Sequence, residues 1–180
     1  MDRNRDLAQG LSRIENKVAA SNSDKFKAVR VTPVSFIGDP GTDQVVFNLT
    51  EIPNAIFESG GAALLKSITL IDYDDNSADS LDLYFFEKNT NTDMGTLGAV
   101  IDITDPELLA NGALGWVTIG AVADNAIGDA ILSRIHTLTD VNLMVKSGVG
   151  SKSIYVAGVT QAGRTSTASG NEFVFGFERV

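Results

Sequence analysis

The sequence predicts an all-β protein, an antiparallel, jelly-roll-like sandwich or barrel of about eight strands with a short N-terminal helical arm. Three observations carry that expectation. Short β-prone runs recur along the chain between Gly, Asn, Asp and Ser punctuation. Only one segment of the body has both helix start and stop signals, and it is too brief to cross between parallel strands, which takes a dozen residues or more. The first 27 residues read differently from the rest, with apolar side chains at helical spacing and an excess of positive charge. The division expected is an arm and linker over residues 1–27 and a β-sandwich domain over 28–180.

In the arm, Leu7, Leu11, Ile14 and Val18 recur at steps of four, three and four, the spacing of a heptad seam. Gly10 weakens such a helix by about 1 kcal/mol relative to Ala. Two heptads do not hold a helix alone in water, so the seam needs something to pack against. Ser21–Asn22–Ser23–Asp24 reads as a linker.

Ala28–Ile37 is strand-like, with Pro33 pushing it to a sheet edge or bulge, and Gln44–Leu49 follows a turn at Asp39, Pro40 and Gly41. The stretch from Gly60 to Lys88 organises the body. Its apolar runs Leu64–Tyr73 and Leu81–Phe86 flank a polar run, Asp74–Ser80, in the pattern of a β-hairpin. The first run is apolar on both faces, Leu64, Ile68 and Leu70 on one and Leu65, Ile71 and Tyr73 on the other, as for a central strand covered on both sides. In the second, Leu81, Leu83 and Phe85 alternate with Asp82 and Tyr84, so one face meets a core.

Ala99–Ile103 is expected as a short strand. Thr104 and Glu107 then have capping-box spacing, with Pro106 near the first helical position, and Asn111 and Gly112 stop the helix. Trp116–Val122 is the next strand. Ala126–Leu138 carries Ile127, Ile131 and Ile135 at helical spacing, but its β-branched content and Gly128 favour strand and loop. Val141–Lys146, Ser153–Thr160 and Glu172–Arg179 complete the set, the first two joined by what reads as a hairpin turn at SGVG.

Composition limits the function classes. With 180 residues and no cysteine, the chain can bury a core without disulfides, and thiolate metal sites are excluded. No apolar run approaches the ~20 residues of a membrane helix, and the charged N-terminus lacks the apolar block of a signal peptide, so a soluble protein with no membrane partner is expected. The net charge of −9 is unevenly placed: residues 1–30 hold seven basic and four acidic groups, a balance of +3, and the remainder carries −12. An acidic body repels nucleic acid, whereas a basic arm suits an acidic protein surface.

Candidate chemistry is sparse. Asp72, Asp74, Asp75, Asn76, Asp79 and Asp82 open like a calcium loop, but Ser77 stands where the glycine belongs and Leu83 where the bidentate glutamate belongs, so a solvated turn is expected. SGVGSKS around Gly148 fails as a phosphate loop because Ser151 precedes Lys152 and no helix follows. His136 is the lone histidine, and no G-x-S-x-G element accompanies it. Asn48–Leu49–Thr50 is a sequon without a secretory signal, and Trp116 and the nine phenylalanines read as core rather than sugar platforms. No catalytic residue, cofactor or metal ligand is expected.

Two blocks, GGAALLKSITLIDYDDNSADSLDLYFFE and VNLMVKSGVGSKSIYVAGVTQAGRTSTASGNEFVFGFER, resemble small β-rich virion structural proteins of tailed bacteriophages, of the capsid decoration or cement type. The resemblance spans roughly residues 60–180 and contains no invariant motif. It implies a non-enzymatic capsid decoration protein at the virion surface, a homo-oligomer such as a trimer, whose partner is the major capsid protein or another virion protein. The arm lies outside it. From the residues alone, Leu7, Leu11, Ile14 and Val18 are expected to bind the partner, with Arg3, Arg5 and Arg13 assisting electrostatically. The alternative is a head-fibre or lectin-like β-sandwich that reads glycans through exposed loops such as Asn89–Gly95 or Gly163–Asn171.

Overall fold

Side-chain alternation and turn chemistry divide the chain into ten strands and one helix among the residues that the computed structural model describes, which are 25–73, 80–90, 93–120, 126–127, 133–163 and 170–180. The strands are β1 (Phe26–Val31), β2 (Val45–Ile52), β3 (Ala62–Asp72), β4 (Leu81–Phe86), β5 (Ala113–Ile119), β6 (Ala126–Ile127), β7 (Ser133–Leu138), β8 (Leu143–Lys146), β9 (Ile154–Thr160) and β10 (Asn171–Arg179). Helix α1 is Asp105–Asn111. The arm residues Leu7, Leu11, Ile14, Val18, Arg3, Arg5 and Arg13 lie outside the described residues.

One sheet runs β1-β10-β3-β7-β6, with β8 also paired to β3, and the other runs β2-β9-β4-β5. Every pairing is antiparallel. The order has a simple logic. β4 pairs with β5, β3 with β7 and β8, β2 with β9, and β1 with β10, so the chain's second half retraces its first in reverse. Wrapped into two layers, this doubled ribbon is a jelly roll. The protein is an all-β antiparallel sandwich.

Two expected hairpins are crossovers instead. β3 and β4 lie in different sheets, as do β8 and β9, so neither pair is a hairpin; the SGVG segment carries the chain across the sandwich, and residues 74–79 of the polar run lie outside the described residues. The inward residues Leu81, Leu83 and Phe85 of β4 therefore face those of β3 across the core rather than beside them. Ala99–Ile103 is not a strand. A single bridge joins Gln44 to Val100, and the surrounding segment is loop. β1 ends at Val31, before Pro33, at the sheet edge where a missing donor costs least.

β3 is central, but only one of its faces meets the core. Ala63, Leu65, Ile68 and Leu70 point inward, while Leu64, Thr69 and Ile71 stay half-exposed. The phase changes because the register with β10 jumps from Gly176↔Ser67 to Phe177↔Leu65, leaving Lys66 as the extra residue of a β-bulge. On the other side the Val141 N–H donates to the Lys66 carbonyl (3.1 Å), and Lys66 Nζ donates to Asn142 Oδ1 (2.5 Å), at the bend between β7 and β8.

The interlayer core is aromatic. Phe173 and Phe175 on β10 stack at 5.7 Å, Phe47 tilts against Phe173 at 5.4 Å, and Phe85 meets Phe175 edge-on at 5.9 Å. Such pairs add about 0.5–1.5 kcal/mol each beyond their buried area. A second cluster covers the outside of the smaller sheet, where Phe86, Met94, Ala157 and Val159 are buried beneath Leu97, Ile101, Ile103 and Leu108 of the β4–β5 connection. α1 holds that cover in place. Glu107 accepts hydrogen bonds from the Thr104 N–H and hydroxyl, both 2.8 Å, and Gly112 closes the helix at φ 65°.

Candidate interaction surface at the base of the sandwich

The directions of the strands bring five chain segments to one end, called the base: the start of β1, the β2–β3 loop, the β4–β5 connection, the β8–β9 loop and the end of β10. Backbone hydrogen bonds tie most of them together. The Ile56 N–H donates to Lys152 and the Gly60 N–H to Ser151 (both 2.8 Å), and the Ser147 N–H reaches Gly61 (3.1 Å). The Arg179 N–H donates to the Lys25 carbonyl (2.9 Å), which fixes where the chain enters the domain.

An open cleft of about 370 Å³ lies at this end, lined by Phe26, Lys27, Asn54, Ile56, Phe57, Lys152 and Arg179. Its organising residue is Phe57, half-buried against the core. Lys27 Nζ sits 4.1 Å from the ring centroid and Arg179 Cζ 5.9 Å from it, both within cation–π range. Burial first, and the neighbouring Lys152 second, push the Lys27 ammonium below the ordinary lysine value. Glu58 pairs with Arg179 at the cleft's edge. Phe26 leaves 59% of its surface exposed beside these charges. Among the described residues, no acidic side chain lines the cleft.

The charge of the described residues is polarised along the strands. At the base Lys25, Lys27, Lys88, Lys146, Lys152 and Arg179 stand with Glu51, Glu58, Glu87 and Glu178, a balance of +2, whereas Asp39, Asp43, Asp72, Asp82 and Glu172 toward the opposite end stand with Arg30 and Arg134, a balance of −3. The covering segment over the smaller sheet adds Asp93, Asp102, Asp105 and Glu107.

The sequence-derived candidates are placed as follows. Asp72 is buried on β3, with Arg134 and Asn171 as its cross-strand neighbours. Asp82 sits in the other sheet and accepts hydrogen bonds from the Thr118 hydroxyl (2.6 Å) and Gln161 Nε2 (2.5 Å). Asp74, Asp75, Asn76 and Asp79 are outside the described residues, among which no group of three His, Asp or Glu could hold a metal ion. His136 is buried on β7 opposite Leu70. Asn48 is held by the β4–β5 connection: its amide donates to the Gly95 carbonyl (2.8 Å) and its oxygen accepts from the Met94 N–H (2.7 Å). Trp116, expected in the core, stands 64% exposed on β5 opposite Tyr84.

The cleft itself has no local signature in the sequence. Lys27, Phe57, Lys152 and Arg179 come from four separated segments, and SGVGSKS, which fails as a phosphate loop, contributes Lys152 to it.

No family model matches the sequence. No curated protein matches it either. Solved structures found by shape include that of the infectious bursal disease virus Gt strain, at 9% identity and a TM-score of 0.33, covering 87% of this chain and 38% of that one. The VP2 subviral particle of the same virus matches at 11% identity and a TM-score of 0.32, covering 87% and 38%. The chain thus spans well under half the length of these proteins. At such scores the jelly-roll assignment rests on the strand order described above, not on the superpositions.

Proposed function

We propose that this protein is a non-enzymatic structural component of a virion, a capsid decoration or cement protein that acts as a homo-oligomer, such as a trimer, on the capsid surface. Residues 1–27 are its attachment arm and linker and 28–180 its body, with Phe26 and Lys27 at the end of the linker already paired in β1. The major capsid protein, or another virion protein, is the partner. The observation that carries this reading is the root of the arm: the Lys25 carbonyl is bound by the Arg179 backbone, so the chain enters the body at its basic end. In this reading the heptad-spaced Leu7, Leu11, Ile14 and Val18, with Arg3, Arg5 and Arg13, bind the same partner surface as the base. Several weak contacts of this kind add up when an oligomer presents them together. The jelly-roll body and the resemblance of residues 60–180 to small phage virion proteins support the same reading.

Deleting residues 1–24 is the test. The body is expected to fold with an unchanged melting temperature and to lose sedimentation with capsids stripped of this protein. Unchanged occupancy refutes the arm. Mass measurement of the intact species decides the oligomer number.

A glycan-binding reading has one observation in its favour, the exposed Trp116 ring beside Tyr84 on the smaller sheet. Glycan-array binding that is lost in Trp116→Ala would support it, and silence of the wild-type chain on the array rejects it.

A further inference from the structure

We propose that the base cleft is a binding site for carboxylate side chains of an acidic peptide segment on a partner protein. The inference does not depend on the virion reading, because it rests on the cleft's chemistry alone.

Three cations, Lys27, Lys152 and Arg179, converge on a cleft with no acidic group among its described lining residues. Lys27 gains from the Phe57 ring face on one side. That leaves its remaining N–H donors available to the cleft, and Asn54 adds an amide at the wall. Lys27 and Lys152 repel each other. A carboxylate placed between them converts that repulsion into two charge-assisted hydrogen bonds. Arg179 is partly neutralised already by Glu58, which marks the edge of the site.

The remaining lining chooses among anions. Ile56, Phe57 and the exposed Phe26 present apolar surface between the charges, which a free inorganic anion cannot use and a peptide with alternating acidic and apolar side chains can. A cavity of about 370 Å³ has room for a few side chains. A nucleic-acid strand is a poor occupant. Beyond the three cleft cations and Lys25, Lys88 and Lys146 it would meet Glu51, Glu58, Glu87 and Glu178 at the same end, and residues 31–180 carry 7 basic and 19 acidic groups.

The experiment uses the full-length chain and four probes: a fluorescein-labelled peptide of alternating glutamate and leucine, its glutamine counterpart, inorganic phosphate and single-stranded oligothymidylate. Anisotropy is expected to show binding of the glutamate peptide only, and backbone amide shifts to concentrate at residues 54–58 and at Lys152. Lys27→Gln and Lys152→Gln are each expected to weaken it by about fivefold, as partly hydrated charge pairs do. Glu58→Gln frees Arg179 and is expected to tighten binding, whereas Lys88→Gln, outside the cleft lining, leaves it unchanged. Lys152 and Glu58 are exposed, so their variants keep the fold intact. Equal binding of the glutamine peptide overturns the proposal, as does preference for phosphate or oligothymidylate, or indifference to both lysine substitutions. Self-association abolished by Lys152→Gln overturns it too, because the occupant would then be a second copy of this chain.

Discussion

Gly158 on β9 has no room for a methyl group. Its Cα lies under the Phe47 ring, which is fully buried and held from the far side by Phe173. Gly158→Ala is therefore expected to cost about 1–3 kcal/mol through overpacking, seen as a lower denaturant midpoint with an unchanged slope. Nothing adjacent in the chain marks this glycine, since the ring above it comes from β2. Glu107 makes the opposite case, legible from spacing alone. The N–H and hydroxyl of Thr104 hold its carboxyl below the ordinary glutamate range. A lowered folded-state value means that its contribution to the helix is complete above the unfolded value and is lost as pH falls through the folded one. Amide exchange at Leu108 should accelerate over that acid window in the wild-type chain and show no such step in Glu107→Gln.

At the scale of elements, β3 decides the inner face of the larger sheet, and its bulge can be tested by deletion. Removing Lys66 leaves Leu65 and Ile68 on the inner face, because a regular strand then runs from one to the other. Removing Thr69 instead turns Leu70 outward. The first variant is expected to fold with a lowered melting temperature, having lost the Lys66–Asn142 contact, and the second to lose its near-ultraviolet circular dichroism. The same bulge explains why reading strict alternation through Leu64–Tyr73 put Leu64 with Ile68 and Leu65 with Ile71. The strands themselves, the capping box and the Gly112 stop are written in short-range patterns and were readable. Whether a strand, polar run and strand close as a hairpin or cross to the other layer is not, since both use the same local chemistry. The choice is made by which inner faces fit together, and Leu81, Leu83 and Phe85 fit across the core.

For the whole molecule, the retraced ribbon makes every region depend on a distant one. β10 lies between β1 and β3 and supplies Phe173, Phe175 and Phe177 to the core. Deleting residues 171–180 is therefore expected to abolish the entire cooperative transition rather than trim one sheet, which thermal melts followed by two spectroscopic probes would show. Topology of this kind, dominated by long-range pairing, also implies folding on the millisecond-to-second scale. Besides the all-β sandwich class, the partition of charge near residue 30 was the molecular-scale property visible in the sequence. It located a basic region without revealing that Lys152 and Arg179 join it, because that requires the ends of β8, β9 and β10 to be in place.

β1 and β10 lie side by side and antiparallel, with Lys25 fastened to Arg179 at the base. The ladder's hydrogen bonds run across the strands, so tension applied between the two chain ends peels them open one rung at a time. Tension between the base and the far end of the sandwich instead loads all the rungs of a strand together. A body held at its base and pulled from its outer end would thus resist force far better than one pulled apart by its termini.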